Sequence, residues 1–195
     1  MTRQVFIING SGGVGKDEFV KMVCDQSYSS VGISDTVSID VKRFDIENYS
    51  SISKVKEIAK LVGWNGTKTE KDRKFLSDLK LLTTEYNDMP LNDIKKFADE
   101  FMNKDGLSFP KMLFLHIREP REIAKAVKAF KEYNPKTIIV KKSNIKHITS
   151  NMADRNVYRY NYDITINNDG TLEELEEKAK NFANDFISNT LKKEY

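Results

Sequence analysis

The apolar run QVFIIN (residues 4–9) is followed at once by GSGGVGKD (10–17) and then by EFVKMVC (18–24), an order that few folds accept. A buried strand here hands the chain to a helix through a turn so rich in glycine that backbone amides, not side chains, must line it. Gly10, four residues, Gly15 and Lys16 match the pattern G-x-x-x-x-G-K, in which the loop amides turn inward and the lysine reaches the outer phosphates of a bound anion. A helix beginning near Lys16 adds the positive end of its dipole. Gly10, Ser11, Gly12, Gly13, Val14, Gly15, Lys16 and Asp17 are therefore the expected phosphate-binding residues. Asp17 stands where a serine or threonine usually offers a neutral oxygen to Mg²⁺. A carboxylate is a hard oxygen donor and can hold magnesium directly or through water, although an acidic residue in a first helical turn can also simply face the dipole.

Short apolar runs at 5–9, 112–117, 137–141 and 164–167 read as buried parallel strands. A fifth strand lies in VSIDV (37–41) or in FDIENYSSI (44–52), and the pattern does not choose between them. Helical periods link Val55, Ile58, Ala59 and Val62; Phe75, Leu79 and Leu82; Leu91, Ile94, Phe97 and Phe101; Ile123, Val127 and Phe130; and Leu172, Leu175, Ala179, Phe182 and Phe186, with Thr171 as a cap. Strands alternating with helices imply a three-layer α/β/α fold around a parallel sheet, with ligands at the carboxyl ends of the strands. We expect one domain over 1–195, with a helical insert at about 53–104 and irregular stretches near 27–43, 63–70, 103–110 and 143–162.

The 32 basic and 29 acidic residues leave a formal charge of +3 with the signs interspersed. That balance argues against a polybasic surface for nucleic acid or anionic lipid. The single cysteine, Cys24, allows neither an internal disulfide nor a thiolate zinc cage. No segment reaches the roughly 20 apolar residues of a membrane span, and no signal-peptide core is visible. A cytoplasmic protein acting on small anionic ligands is the expectation.

With these residues in view, the sequence resembles P-loop kinases of the nucleoside and nucleotide kinase group. It is most similar to deoxynucleoside-monophosphate kinases and animal-type phosphomevalonate kinases, which share the ending Gly15, Lys16, Asp17. SKVKEIAKLVGWNG (53–66) is similar to their acceptor-side segment, with Lys56 and the pair Gly63 and Trp64 at matching positions, and DRKFLSDLKLLTTE (72–85) to the next helix. LHIREPREI (115–123) resembles their strand-then-arginine motif through Arg118 and Glu122. ITSNMADRN (148–156) falls where they carry a lid, and DITINNDGTLEELEEKAKNF (163–182) is similar to their closing strand and helix. One position departs from the pattern: those families place an aspartate two residues before the arginine, and here it is His116, a poor magnesium ligand beside a carboxylate.

The resemblance implies ATP and Mg²⁺ as cofactors, and transfer of the γ-phosphoryl group to a nucleoside or deoxynucleoside monophosphate. A phosphorylated non-nucleotide metabolite is the alternative acceptor. Phosphoryl transfer needs cations that hold two substrates in line. Lys16 would serve the β- and γ-phosphates and Asp17 the magnesium, with Arg118 on the transferring or acceptor phosphate, although a surface ion pair with Glu119 or Glu122 is the plainer fate of that arginine. Lys56, with Arg43 or Arg73, would face the acceptor; His116 would act on the acceptor or merely pack. Trp64 would close over a base or simply pack on its helix, packing being the plainer reading, and Arg155 and Arg159 would close from the lid. A catalytically weak ATP-binding regulatory protein is the competing class, suggested by His116. A GTPase is disfavoured by the lack of an N-K-x-D pattern, and a homodimer is compatible with the reading.

Overall fold

A computed structural model of the chain describes residues 2–34, 37–104, 109–143 and 156–195. Seven strands and six α-helices follow one another in the described residues. Residues 1–48 with 105–195 form one compact unit, and 49–104 form another.

The first unit is built on a five-stranded sheet in the order β4-β5-β1-β6-β7. The strands are β1 (Arg3–Asn9), β4 (Asp45–Ser50), β5 (Lys111–His116), β6 (Lys136–Lys141) and β7 (Ile164–Asn167). β1 runs parallel to β5 and β6, and β6 parallel to β7. β1 is buried from Gln4 to Asn9 because both of its faces are covered, which is why it reads as a continuous apolar run and does not alternate. Phe6 and Ile8 face α1 (Lys16–Asp25) and the last helix, α6 (Leu172–Ser188), which pack against each other. Phe6 lies 5.0 Å from the ring of Phe182 and 5.4 Å from that of Phe114. By strand alternation Val5 and Ile7 face the other way, where α5 (Pro120–Ala129) packs onto β1 and buries Ile123 and Ala126. Helices thus cover both faces, giving the three-layer α/β/α arrangement expected from the sequence.

Both stretches between which the pattern left the fifth strand are extended. FDIENYSSI supplies β4 at the sheet edge, whereas VSIDV lies in β3 (Val37–Lys42), which pairs antiparallel with β2 (Tyr28–Ser34). The region 27–43, expected to be irregular, is therefore mostly a hairpin. Its apolar residues Val31, Ile33, Ile39 and Val41 stay exposed, so no burial pattern marks it. At the other sheet edge the terminal residues pair beside β7: the Thr165 amide donates to the Lys193 carbonyl (2.9 Å), and the Asn167 amide to that of Tyr195 (2.9 Å).

The second unit consists of α2 (Ser53–Leu61), α3 (Glu70–Asn87) and α4 (Met89–Asn103). Val55, Ala59 and Leu76 form its small core, with Ile52, Trp64, Leu79 and Met89 against it. Of the face expected on α3, Phe75–Leu79–Leu82, Leu79 packs against this core but does not supply its buried residue. Leu76 is the buried residue, while Leu82 is 65% exposed; α3 carries apolar residues on more than one side, and contact with α2 decides which turns inward. Thr69 caps α3 in a reciprocal capping box with Asp72, and Thr171 caps α6, as expected, by accepting from the Glu174 amide.

Deleting a ring from the β1–α6 contact removes buried apolar surface and leaves a cavity. Phe182→Ala should cost about 3–5 kcal/mol in denaturant unfolding, whereas Leu82→Ala should stay within about 0.5 kcal/mol.

Candidate functional site

At the carboxyl end of β1 the chain turns through residues 10–15 and enters α1 at Lys16. Two glycines are required there. A Cβ on Gly10 would meet Val14 Cγ2 at 2.8 Å and the Val140 carbonyl oxygen at 2.9 Å, so the loop start lies flat against β6. Gly15 has φ 88° and a Cβ would fall 2.3 Å from Asn168 Nδ2. That amide is buried and donates to the Val14 carbonyl at 2.8 Å, bracing the loop from the β7–α6 turn. Val14 itself sinks into the core.

The first helical bond of α1 runs from the Phe19 amide to the Gly15 carbonyl (2.9 Å), and no side chain caps the helix start. The amides of its first turn are therefore left without helical carbonyl partners. Ser11 Oγ is buried and, among the described residues, has no hydrogen-bond partner. Uncapped amides, an orphaned hydroxyl and a nearly buried lysine at one helix start form a place for an oxyanion.

Three residues named from the sequence meet at this point. Lys16 Nζ lies 3.3 Å from Asp17 Oδ1, and His116 Nδ1 lies 3.5 Å from the same oxygen. The pairing Ile8↔His116 explains the meeting, because it ends β5 level with the residue before Asn9 on β1. Partial desolvation pushes the Asp17 carboxyl up, but Lys16, by its charge and its hydrogen bond, and the charge of Arg118 hold the group below its ordinary value. His116 is pushed down to about 4, mainly by burial and then by Lys16 and Arg118, against the opposing pull of Asp17. Near neutral pH the site thus holds an ionised carboxylate and a neutral imidazole. The charge of Arg118 is felt at both.

Beside Asp17 a cleft of about 340 Å³ opens, lined by Asp17, Val20, Lys21, Cys24, Asn48 and His116. It is at the small end of the range for ligand pockets. The Cys24 thiol is raised to about 11, by burial first and then by Asp25 and Glu47, so it lines the cleft as a thiol and not as a thiolate nucleophile. Lys21, one turn after Asp17 and paired weakly with Glu18 at 3.7 Å, supplies a cation to the rim.

The remaining expected site residues divide between the two units. Lys56 and Arg73 are exposed on α2 and α3 of the helical unit, and Trp64 packs in that unit, donating from Nε1 to the Thr67 carbonyl at 3.0 Å. Arg43 is tied structurally: it donates to the Gln26 carbonyl (3.2 Å) and to Asn184 Oδ1 (2.6 Å). Arg159 is exposed on a short 3₁₀ turn, Val157–Arg159. Arg155 and most of the expected lid lie outside the described residues.

Sequence reading missed Asn9, Asn168 and Tyr162, and in the cleft Lys21 and Asn48. A polar residue closing an otherwise apolar strand was the available signal for Asn9. Asn168 and Tyr162 act across long sequence separations that no local pattern reports. Among the described residues no cluster of three or more His, Cys, Asp or Glu side chains forms a metal cage, and no helix is long and apolar enough to cross a membrane.

No family model and no curated protein matches the sequence. Among solved structures, an unliganded sugar kinase from Janibacter sp. HTCC2649 is similar with a TM-score of 0.46 at 12% identity, covering 98% of this chain and 100% of that one. The tunicamycin resistance protein of Deinococcus radiodurans is similar with a TM-score of 0.38 at 8% identity, covering 95% and 83% respectively. These likenesses are distant, and the site is read from its own geometry.

The depressed His116 pKa has a definite sign. An unfolded chain binds a proton at this histidine below about pH 6.5, while the folded one resists doing so until about pH 4. Stability is therefore intact above pH 6.5 and is lost as pH falls through that window. Without nucleotide or metal, His116→Gln should gain on the wild type by up to about 1.4 kcal/mol per pH unit across it, measured by denaturant unfolding at several pH values.

Proposed function

We propose that this protein is an ATP-dependent phosphotransferase. The observation that carries the reading is Lys16, nearly buried at an uncapped helix start after the glycine loop, next to an ionised Asp17 that opens onto a cleft. The residues fit a polyphosphate: the loop 10–16 supplies amides, Ser11 an unsatisfied hydroxyl, and Lys16 a cation. Asp17 is the residue that would hold magnesium, which when bound neutralises charge on the triphosphate. Arg118, whose field already reaches Asp17 and His116, would steady the charge of the group in transit. The cleft seats the acceptor, with Asn48 and the neutral His116 available for hydrogen bonds and Lys21 for an anionic substituent.

For the acceptor, the resemblance of 53–66, 72–85 and 115–123 supports a nucleoside or deoxynucleoside monophosphate, and a phosphorylated metabolite is the other anionic candidate. Arg118, Arg159, Lys56 and Arg73 belong to this proposal as cations on resemblance, and a cytoplasmic setting on the single cysteine. Wild type with magnesium should release ADP from ATP when a monophosphate panel is added. Lys16→Ala should weaken ATP binding by about tenfold or more, the size of a lost charge-assisted contact. Retained ATP affinity in Lys16→Ala would refute the donor site, and silence across the panel would refute the nucleotide acceptor.

His116 supports a second reading, an ATP-binding protein with little turnover, since a neutral imidazole occupies the position where the resembled families carry a carboxylate. In that case His116→Asp should raise or create transfer while ATP binding persists. Transfer that stays at zero would show that the missing carboxylate is not what silences the site.

A further inference from the structure

We infer that Asn9 is a positioning residue, a single buried amide that fixes the start of the phosphate loop, the exit of the chain at Arg118 and the segment carrying Arg159 relative to one another. Its consequence for transfer rests on the phosphotransferase reading; its structural part does not. Asn9 is fully buried at the end of β1. Its Oδ1 accepts from the Gly10 amide at 2.8 Å. One Nδ2 hydrogen goes to the Arg118 carbonyl at 2.9 Å and the other to Tyr162 Oη at 2.7 Å. Tyr162 in turn donates its hydroxyl hydrogen to the Val157 carbonyl at 2.8 Å.

Both donors of the amide are thus used, and its oxygen is engaged as well. Burying such a group brings little stability beyond what a leucine of similar volume would supply. What it adds is geometry, since each bond ends on a chain segment that carries a proposed site residue. Gly10 opens the loop; Arg118 carries the guanidinium felt at Asp17 and His116; and Val157 to Tyr162 bracket Arg159. Displacing the Arg118 backbone by even a small fraction of its side-chain length changes where its planar fork arrives. These segments lie 109 and 153 residues from Asn9 in sequence, so one side chain ties together parts of the chain that no local element joins.

The test is a double-mutant cycle between Asn9→Ala and Arg118→Ala, reading binding of a non-hydrolysable ATP analogue with magnesium and, where turnover is present, kcat and KM. Arg118→Ala should weaken analogue binding about tenfold in the wild type and less than about threefold in Asn9→Ala, because the arginine is already misplaced. In turnover, Asn9→Ala should lower kcat by about tenfold or more and raise the ATP KM by about threefold or more, but by no more than Arg118→Ala does, because the misplaced arginine no longer helps to hold the triphosphate. Tyr162→Phe, which keeps the ring, should move both quantities the same way by less, and it serves if Asn9→Ala does not fold. Amide hydrogen exchange supplies a readout that needs no nucleotide: in Asn9→Ala the Gly10 amide and residues 157–162 should exchange about tenfold faster or more, with Val5–Ile7 unchanged. An Arg118→Ala loss of equal size in both backgrounds, or unchanged exchange in 157–162, overturns the inference. Failure of Lys16→Ala to weaken the analogue instead overturns the phosphotransferase reading, and the exchange result still decides the role of Asn9.

Discussion

Burial of β1 on both faces is the constraint from which the site follows. With Val5 and Ile7 turned to one layer and Phe6 and Ile8 to the other, a slip of one residue would exchange two packed faces at once, so the register is held firmly. That register ends β1 and β5 at the same edge of the sheet and brings Asn9, His116 and Arg118 to one level. The glycine loop then has only one place to go, over the end of β6 and into α1.

Charge completes what packing begins. Asp17 is the counter-ion of Lys16. An anion arriving at the lysine must compete with that carboxylate unless a cation arrives with it. A serine or threonine at the same place would impose no such competition, so Asp17 ties anion binding to a metal more tightly than a neutral hydroxyl would. Burial first, and then the same cations, keep His116 neutral, which makes it a hydrogen-bonding group at the cleft and not a second positive charge.

The parts of the site legible in the sequence were those written in consecutive residues. Gly10, Gly15, Lys16 and Asp17 are a local pattern, and the strand before and helix after them are local as well. The partners of Arg43, Gln26 and Asn184, are not legible because they lie 17 and 141 residues away, and the buried side of α3 is not legible because several of its sides are apolar. The pairing of β2 with β3 is not legible because Val31, Ile33, Ile39 and Val41 face solvent, although VSIDV itself reads as a candidate strand.

By itself, then, the sequence determined the strand–loop–helix unit, four of the five sheet strands, the cap at Thr171 and the lack of a partner for an internal disulfide in these 195 residues, since each depends on spacing, residue type or count. Only the tertiary structure decided that His116 stands beside Asp17, that Asn168 braces Gly15, and that Asn9 binds three segments with one amide. Those contacts join residues up to 154 apart in sequence, and such pairings are set by sheet register and layer packing, which no local rule carries.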